Sequence, residues 1–301
     1  MDENGQYLVE GHHINYVQSV DIRKLIKQRN HSDKRRPLLA FGGAVYEEAA
    51  YDVKVIENET QMALLKENIY SDLKNIRLEL AQKNVFSDFE NIRYIKNAYN
   101  GLGIGTWPYL PCTLNEVKNI NKLINKSNIF TGSNVTEKDI KELSKNWKLY
   151  NYKVLHFATH GLVVNEVPEL SAVVLSQFEE DEGKEDGYLR IEEIVELSLQ
   201  ADLVNLSAFE TGLGRVDGNA GIFGLTQSFI LAGANAVSIS LWRVADESTS
   251  QFMVSMYGMV QDKGIGYAEA ITEVKRQFIS GNFGEKYKAP YYWAPFVYYG
   301  N

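Results

Sequence analysis

Hydrophobic and polar positions alternate along this chain in two rhythms. Short, nearly continuous apolar runs bounded by glycine read as buried strands, and longer stretches with apolar residues every three or four positions read as helices. YLVEGHHINYVQSV reads as one or two strands, and PLLAFGGA as a buried strand ending at Gly42-Gly43. Residues 58–100 are polar, without proline or glycine, and apolar at helical spacing, so they predict one or two surface helices inserted over about 50–100. After the loop GLGIGTWPYLP, helices and strands take turns. Thr113, with Glu116 three residues on, predicts the cap of TLNEVKNINKLIN. NIFTG is a short strand, and Thr136 caps TEKDIKELSKNW. KVLHFATHG is an apolar strand closed by Gly161, and SAVVLSQ and GYLRIEEI flank the acidic tip FEEDEGKEDG of a hairpin. The helix IEEIVELSLQ then leads to the strand of ADLVNLSAFETGLG, the helix GIFGLTQSFILAGA, the strand AVSISLWRV and two helices over DESTSQFMVSMYGMVQ and IGYAEAITEVKRQFIS. The aromatic end, YYWAPFVYYG, predicts a last buried strand. Strands separated by helices imply parallel crossovers, hence a doubly wound α/β domain over 105–301 with a less regular 1–104 beside it.

Composition narrows the picture. The 301 residues carry 31 basic and 39 acidic side chains, a net charge of -8, which argues against a bulk nucleic-acid footprint. One cysteine excludes an internal disulfide framework and a cysteine-rich zinc site, and suits a reducing cytoplasm. No leader precedes YLVEGHH and no run of 18 apolar residues exists, so neither export nor a membrane span is expected.

In open parallel sheets, sites form beyond the carboxyl ends of strands. Two ends carry chemistry here: His156, Thr159, His160 and Gly161 on one, and Ser207, Phe209, Glu210, Thr211 and Gly212 on the other. His160 followed by Gly161 offers a general base beside a backbone oxyanion donor, or a histidine bonded to a loop. His156, four residues earlier and on the same face by parity, reads as a core histidine. A metal pair needs a helix to bring two such rings together, so no metal is expected. The glycines of TGLGRVDGNAG miss the dinucleotide spacing by one residue and no P-loop is present, so nucleotide binding is a weak alternative and no cofactor is expected. Cys112 sits at a helix start, where a thiol pKa tends to fall, but a lone cysteine is most simply a small apolar residue.

The segments LPCTLNEVKNI, YKVLHFATHG, LVNLSAFETGLGRVDG, GLTQSFILAGANAVSISLWRVADEST and APYYWAPFVYYG resemble, in order and spacing, the CHAT domain, a caspase-like peptidase module related to the separases. That resemblance implies a caspase-like, mostly parallel sheet flanked by helices, with 1–104 as its upstream half and 105–301 as its peptidase half. It also implies a histidine base at His160 and a cysteine nucleophile in the turn Ser207–Gly212. Here the nucleophile position is Phe209, which cannot attack a carbonyl, and Ala220 stands where the family has an acid. His160, Gly161, Asp186 and Asp246 keep the family's pattern, and the resemblance implies that Asp186 and Asp246 bind substrate. Two explanations stand: a natural pseudo-peptidase that binds a protein or peptide, or an active endopeptidase whose nucleophile has been replaced. Asp246 matches the acid that receives a basic substrate side chain in separases; by position alone it also reads as a helix N-cap. The family's usual upstream segment and helical repeats are absent from this sequence, which leaves room for a partner subunit supplying them.

Overall fold

The computed structural model describes residues 3, 5–46, 99, 107–165, 167–177, 185–211 (backbone alone for 208–211), 220–242 and 244–300. The helices expected over 58–100, the acidic tip at 178–184 and the glycine turn at 212–219 lie outside the described residues.

Short helix α1 (Leu8–Gly11) and helix α2 (Val20–Gln28) precede strand β1 (Arg36–Gly42). Helix α3 (Pro111–Leu123), β2 (Asn128–Thr131), α4 (Glu137–Lys145) and the long β3 (Tyr152–Val163) follow. The hairpin β4 (Ala172–Val174) and β5 (Tyr188–Arg190) leads through α5 (Ile191–Val195) into β6 (Leu203–Thr211). Then come α6 (Ala220–Leu231), β7 (Val237–Ser240), α7 (Asp246–Lys263), α8 (Tyr267–Ser280) and β8 (Phe296–Tyr299).

Among the described residues these strands form one sheet, ordered β2-β1-β3-β6-β7-β8, with β4 on the far end of β3 and β5 on β4. The pairs β1–β2, β1–β3, β3–β6 and β6–β7 are parallel; β3–β4, β4–β5 and β7–β8 are antiparallel. This is the expected α/β class, a mostly parallel sheet covered by helices. The unbroken apolar strands follow from burial on both faces. Alternate residues serve opposite layers: Leu39, Phe41, Leu155, Phe157, Val204 and Leu206 pack with residues of α4, α5 and α6, including Ile140, Ile194 and Phe229. Leu38, Ala40, Val154, Ala158 and Leu203 pack with α3, α7 and α8, including Val117, Phe252, Tyr257 and Val274.

Three local readings change. YLVEGHHINYVQSV holds no extended strand: Ser19 accepts a hydrogen bond from the Ile22 amide and starts α2, whose Ile22, Leu25 and Ile26 repeat at helical spacing. Only Tyr16 from that segment joins the sheet, bridging β8 through Tyr16 N–H to Tyr298 O and Gly300 N–H to Tyr16 O. Helix α3 starts at Pro111, two residues before Thr113, because proline suits the first helical position. Strand β3 runs past Gly161 to Val163, since β4 supplies a new partner there.

Candidate active site

The strand order reverses between β1, which leads outward to β2, and β3, which leads the other way to β6. Crevices form at such switch points. The loop after β1 carries Tyr46 into this one, and the segment before α3 carries Trp107 and Pro108. Gly42 permits the close approach of α3: a Cβ there would lie 2.7 Å from Val117 Cγ1 and 2.8 Å from the Thr113 carbonyl oxygen. Gly43 follows with φ +65°, a left-handed conformation that glycine adopts without strain, and donates its N–H to Thr113 Oγ1 at 3.1 Å.

His160 lies in this crevice, only 1% exposed. Its Nε2 is 2.7 Å from the Pro108 carbonyl oxygen. A carbonyl oxygen only accepts, so Nε2 carries a proton, and in the neutral form of the ring the lone pair lies on Nδ1. The His160 backbone N–H donates to the Tyr46 hydroxyl at 3.2 Å. The rings of Tyr46 and Trp107 stand 5.1 and 5.0 Å from the imidazole, and Trp107 Nε1 donates to the Tyr188 hydroxyl at 2.9 Å. Burial pushes the Tyr46 hydroxyl pKa up, and the nearby Asp246 charge adds to the rise. Neutral tyrosine is therefore what faces the His160 amide.

Strand β6 runs beside β3 in parallel, with His160 opposite Ala208 and Gly161 opposite Phe209. The backbone thus brings positions 160 and 209 to adjacent strands, one register step apart. Gly161 has strand neighbours on both sides, Val173 of β4 and Phe209 of β6. A bulge between Phe157 and His160 inserts one residue into β3 and breaks its two-residue alternation. The parity argument that put His156 and His160 on one face fails for that reason, and the two rings meet separate sets of neighbours.

His156 is the core histidine expected. It is fully buried; Nε2 donates to Glu116 Oε1 at 2.8 Å, and Nδ1 accepts from Asn205 Nδ2 at 2.8 Å and lies 3.2 Å from the Tyr257 hydroxyl. Ser207 Oγ donates to the same Glu116 oxygen at 2.8 Å. One carboxylate of α3 therefore clamps β3 to β6 beneath the crevice.

Asp186 is buried and bound to Arg190, whose Nη1 lies 2.7 and 3.0 Å from its two oxygens, and it accepts the Tyr188 N–H at 3.1 Å. Burial raises its carboxyl pKa, while Arg190 opposes the rise. Asp246 is the first residue of α7 rather than its N-cap, which is Ala245. Its Oδ2 instead accepts the Cys112 amide at 2.8 Å, so it caps α3 from a neighbouring helix. That contact also reverses the expectation for Cys112: burial and then the Asp246 carboxylate push the thiol pKa up, outweighing the helix start. The one group of three acids close enough to share an ion among the described residues, Glu137, Glu185 and Glu193, surrounds the Lys141 ammonium at 2.6–2.7 Å.

Sequence reasoning named His160 but missed Tyr46, Trp107 and the Pro108 carbonyl that hold it. The usable signals were the Gly42-Gly43 turn, which sends the chain after β1 into the crevice, and an aromatic next to proline in a glycine-rich loop. No curated protein matches the chain. The family model described as CHAT domain matches residues 1–301, its whole length. The fold, the crevice and that match agree, and the chain belongs to the CHAT-domain family.

Proposed function

We propose that this chain is a CHAT-domain member of caspase-like peptidase descent that binds a protein or peptide at the His160 crevice and does not cleave it. The observation that carries this reading is the pairing of a well-held histidine with Phe209 on the adjacent strand. His160 presents a neutral ring whose protonated Nε2 is fixed by Pro108, the state a general base needs. The position beside it, where the family resemblance calls for the nucleophilic cysteine, holds a side chain without a nucleophilic atom. In this reading Gly161 marks the oxyanion side, and the Asp246 carboxylate receives a basic side chain of the ligand through charge-assisted hydrogen bonds. Asp186, already bound to Arg190, contributes by shaping the wall behind Tyr188 and Trp107. The partner is a protein or peptide.

Digestion of a broad peptide library by the purified chain tests inactivity: no cleavage is expected, and cleavage that disappears in His160→Ala would overturn the proposal. The retained histidine geometry equally suits an active endopeptidase seen as a replaced variant, and the natural codon at position 209 decides between the two. Phe209→Cys is expected to place a thiol about 3–4 Å from the imidazole, as in a loosely held dyad. A structure of that variant with the sulfur turned away from His160 would remove the dyad argument.

A further inference from the structure

We propose that Asp246 is a positioning residue for His160, acting through the five-residue segment Pro108–Cys112. The inference rests on His160 being the functional group of the crevice. One end of the segment holds the ring, through the Pro108 carbonyl on Nε2 at 2.7 Å. The other end is held by Asp246, whose Oδ2 receives the Cys112 amide at 2.8 Å. Only Tyr109, Leu110 and Pro111 lie between. Pro111 has its φ locked by its ring, and Leu110, preceding a proline, is kept out of the helical region and stands at φ -108°, ψ 88°. The Leu110 carbonyl is further tied to Thr113 Oγ1 at 2.8 Å. A segment this short and stiff transmits a displacement of the Cys112 end to the Pro108 carbonyl. If that carbonyl moves away, the Nε2 proton loses this acceptor, and the balance between the two neutral tautomers shifts toward the other.

Asp246 reaches His160 by a second route. Its charge acts on Tyr46, whose hydroxyl accepts the His160 backbone N–H. The same carboxylate is thus linked to the histidine through the segment on the ring side and through Tyr46 on the main-chain side. Because Thr113 and Glu116 also anchor α3, Asp246 acts as one of several restraints, and its removal should weaken the hold on the ring without freeing the helix.

The test uses ring ¹⁵N spectra of the full chain at one neutral pH, with His160→Ala assigning the His160 signals. In the parent, one His160 nitrogen is expected at a protonated and one at an unprotonated position. In Asp246→Ala the two positions should draw together as tautomers average, and carbethoxylation of His160 should speed up about two- to tenfold, the weight of one hydrogen bond. Asp246→Asn keeps an oxygen that can accept the Cys112 amide and is expected to stay close to the parent. Unchanged spectra in Asp246→Ala would overturn the proposal; so would equal shifts in Ala and Asn, which would assign the effect to charge alone. Should Asp246→Ala fail to fold, Pro111→Gly, which slackens the segment and leaves Asp246 in place, is expected to give the same averaging, and its absence counts against the proposal. Binding of Arg- and Leu-ended peptides to the parent and to Asp246→Asn separates this role from the pocket role. A parent without preference for Arg, beside an Asp246→Ala tautomer shift, removes the pocket and upholds the positioning.

Discussion

His156 and His160 lie four residues apart on one strand, yet their surroundings are built on different plans. Around His156 every ring nitrogen meets a side chain of opposite need in a dry core: a carboxylate on one side, an amide and a hydroxyl on the other. Around His160 a main-chain carbonyl holds Nε2, and the rings of Tyr46 and Trp107 stand against the imidazole. Side-chain partners on both nitrogens tie the His156 ring to three elements and make it a structural fixture. A carbonyl accepts the Nε2 proton and so favours one tautomer of the neutral ring. The bulge between them is what allows one strand to serve both purposes.

The largest expected effect breaks the first plan. His156→Ala leaves the Glu116 carboxylate buried without its partner and should cost about 3–5 kcal/mol in urea unfolding. His160→Ala leaves the Pro108 carbonyl without its donor and should cost about 1–3 kcal/mol. Equal losses would erase the distinction. The next test stays with the clamp. Ser207→Ala removes a donor to the same carboxylate and should cost about 1.5–3 kcal/mol. Ser238, on the neighbouring strand opposite Asn205, is buried with no hydrogen-bond partner for its hydroxyl among the described residues, so Ser238→Ala should be neutral or mildly stabilising. A large loss at Ser238 would show that burial alone, rather than the Glu116 bond, sets the cost.

The two histidines also show which parts of the fold and site the sequence discloses. Apolar runs ending in glycine placed β1, β3 and β6 correctly, because burial on both faces leaves little freedom in composition. Thr136 and its helix were legible from the cap alone. The first twenty residues were not: YLVEGHHINYVQSV is rich in strand formers, but its neighbours give it a helix start at Ser19 and a single bridge at Tyr16. At the site, the chemistry of His160 was legible from its place before Gly161. The identity of its anchor was not, because a main-chain carbonyl leaves no mark in a sequence. Nor was the bulge, which arises from how β3 meets β6 rather than from any residue in it. Asp246 was read as a pocket acid or as the cap of its own helix; nothing local reveals that the carboxylate turns to a helix that starts 135 residues earlier.

The smallest expected effect concerns the half-buried thiol of Cys112. With its pKa raised, Cys112 holds less thiolate than a free cysteine at pH 8, so iodoacetamide should alkylate it more slowly than a model thiol. Asp246→Asn removes the negative charge that contributes to the rise, lowers the thiol pKa and should speed the reaction a few-fold. A parent thiol that reacts as fast as free cysteine, with no change in Asp246→Asn, would show that the carboxylate does not govern this thiol.

The bridge at Tyr16 carries a consequence for how the molecule behaves in a crowd. Strand β8 ends the sheet, and an open sheet end is a growth front on which a second chain can lay a strand of its own. Tyr16 occupies the Tyr298 carbonyl and the Gly300 amide with its own main chain. It thereby fills the rung that an incoming strand would need to keep register. Among the described residues one residue thus occupies part of the flank of β8 with its own main chain.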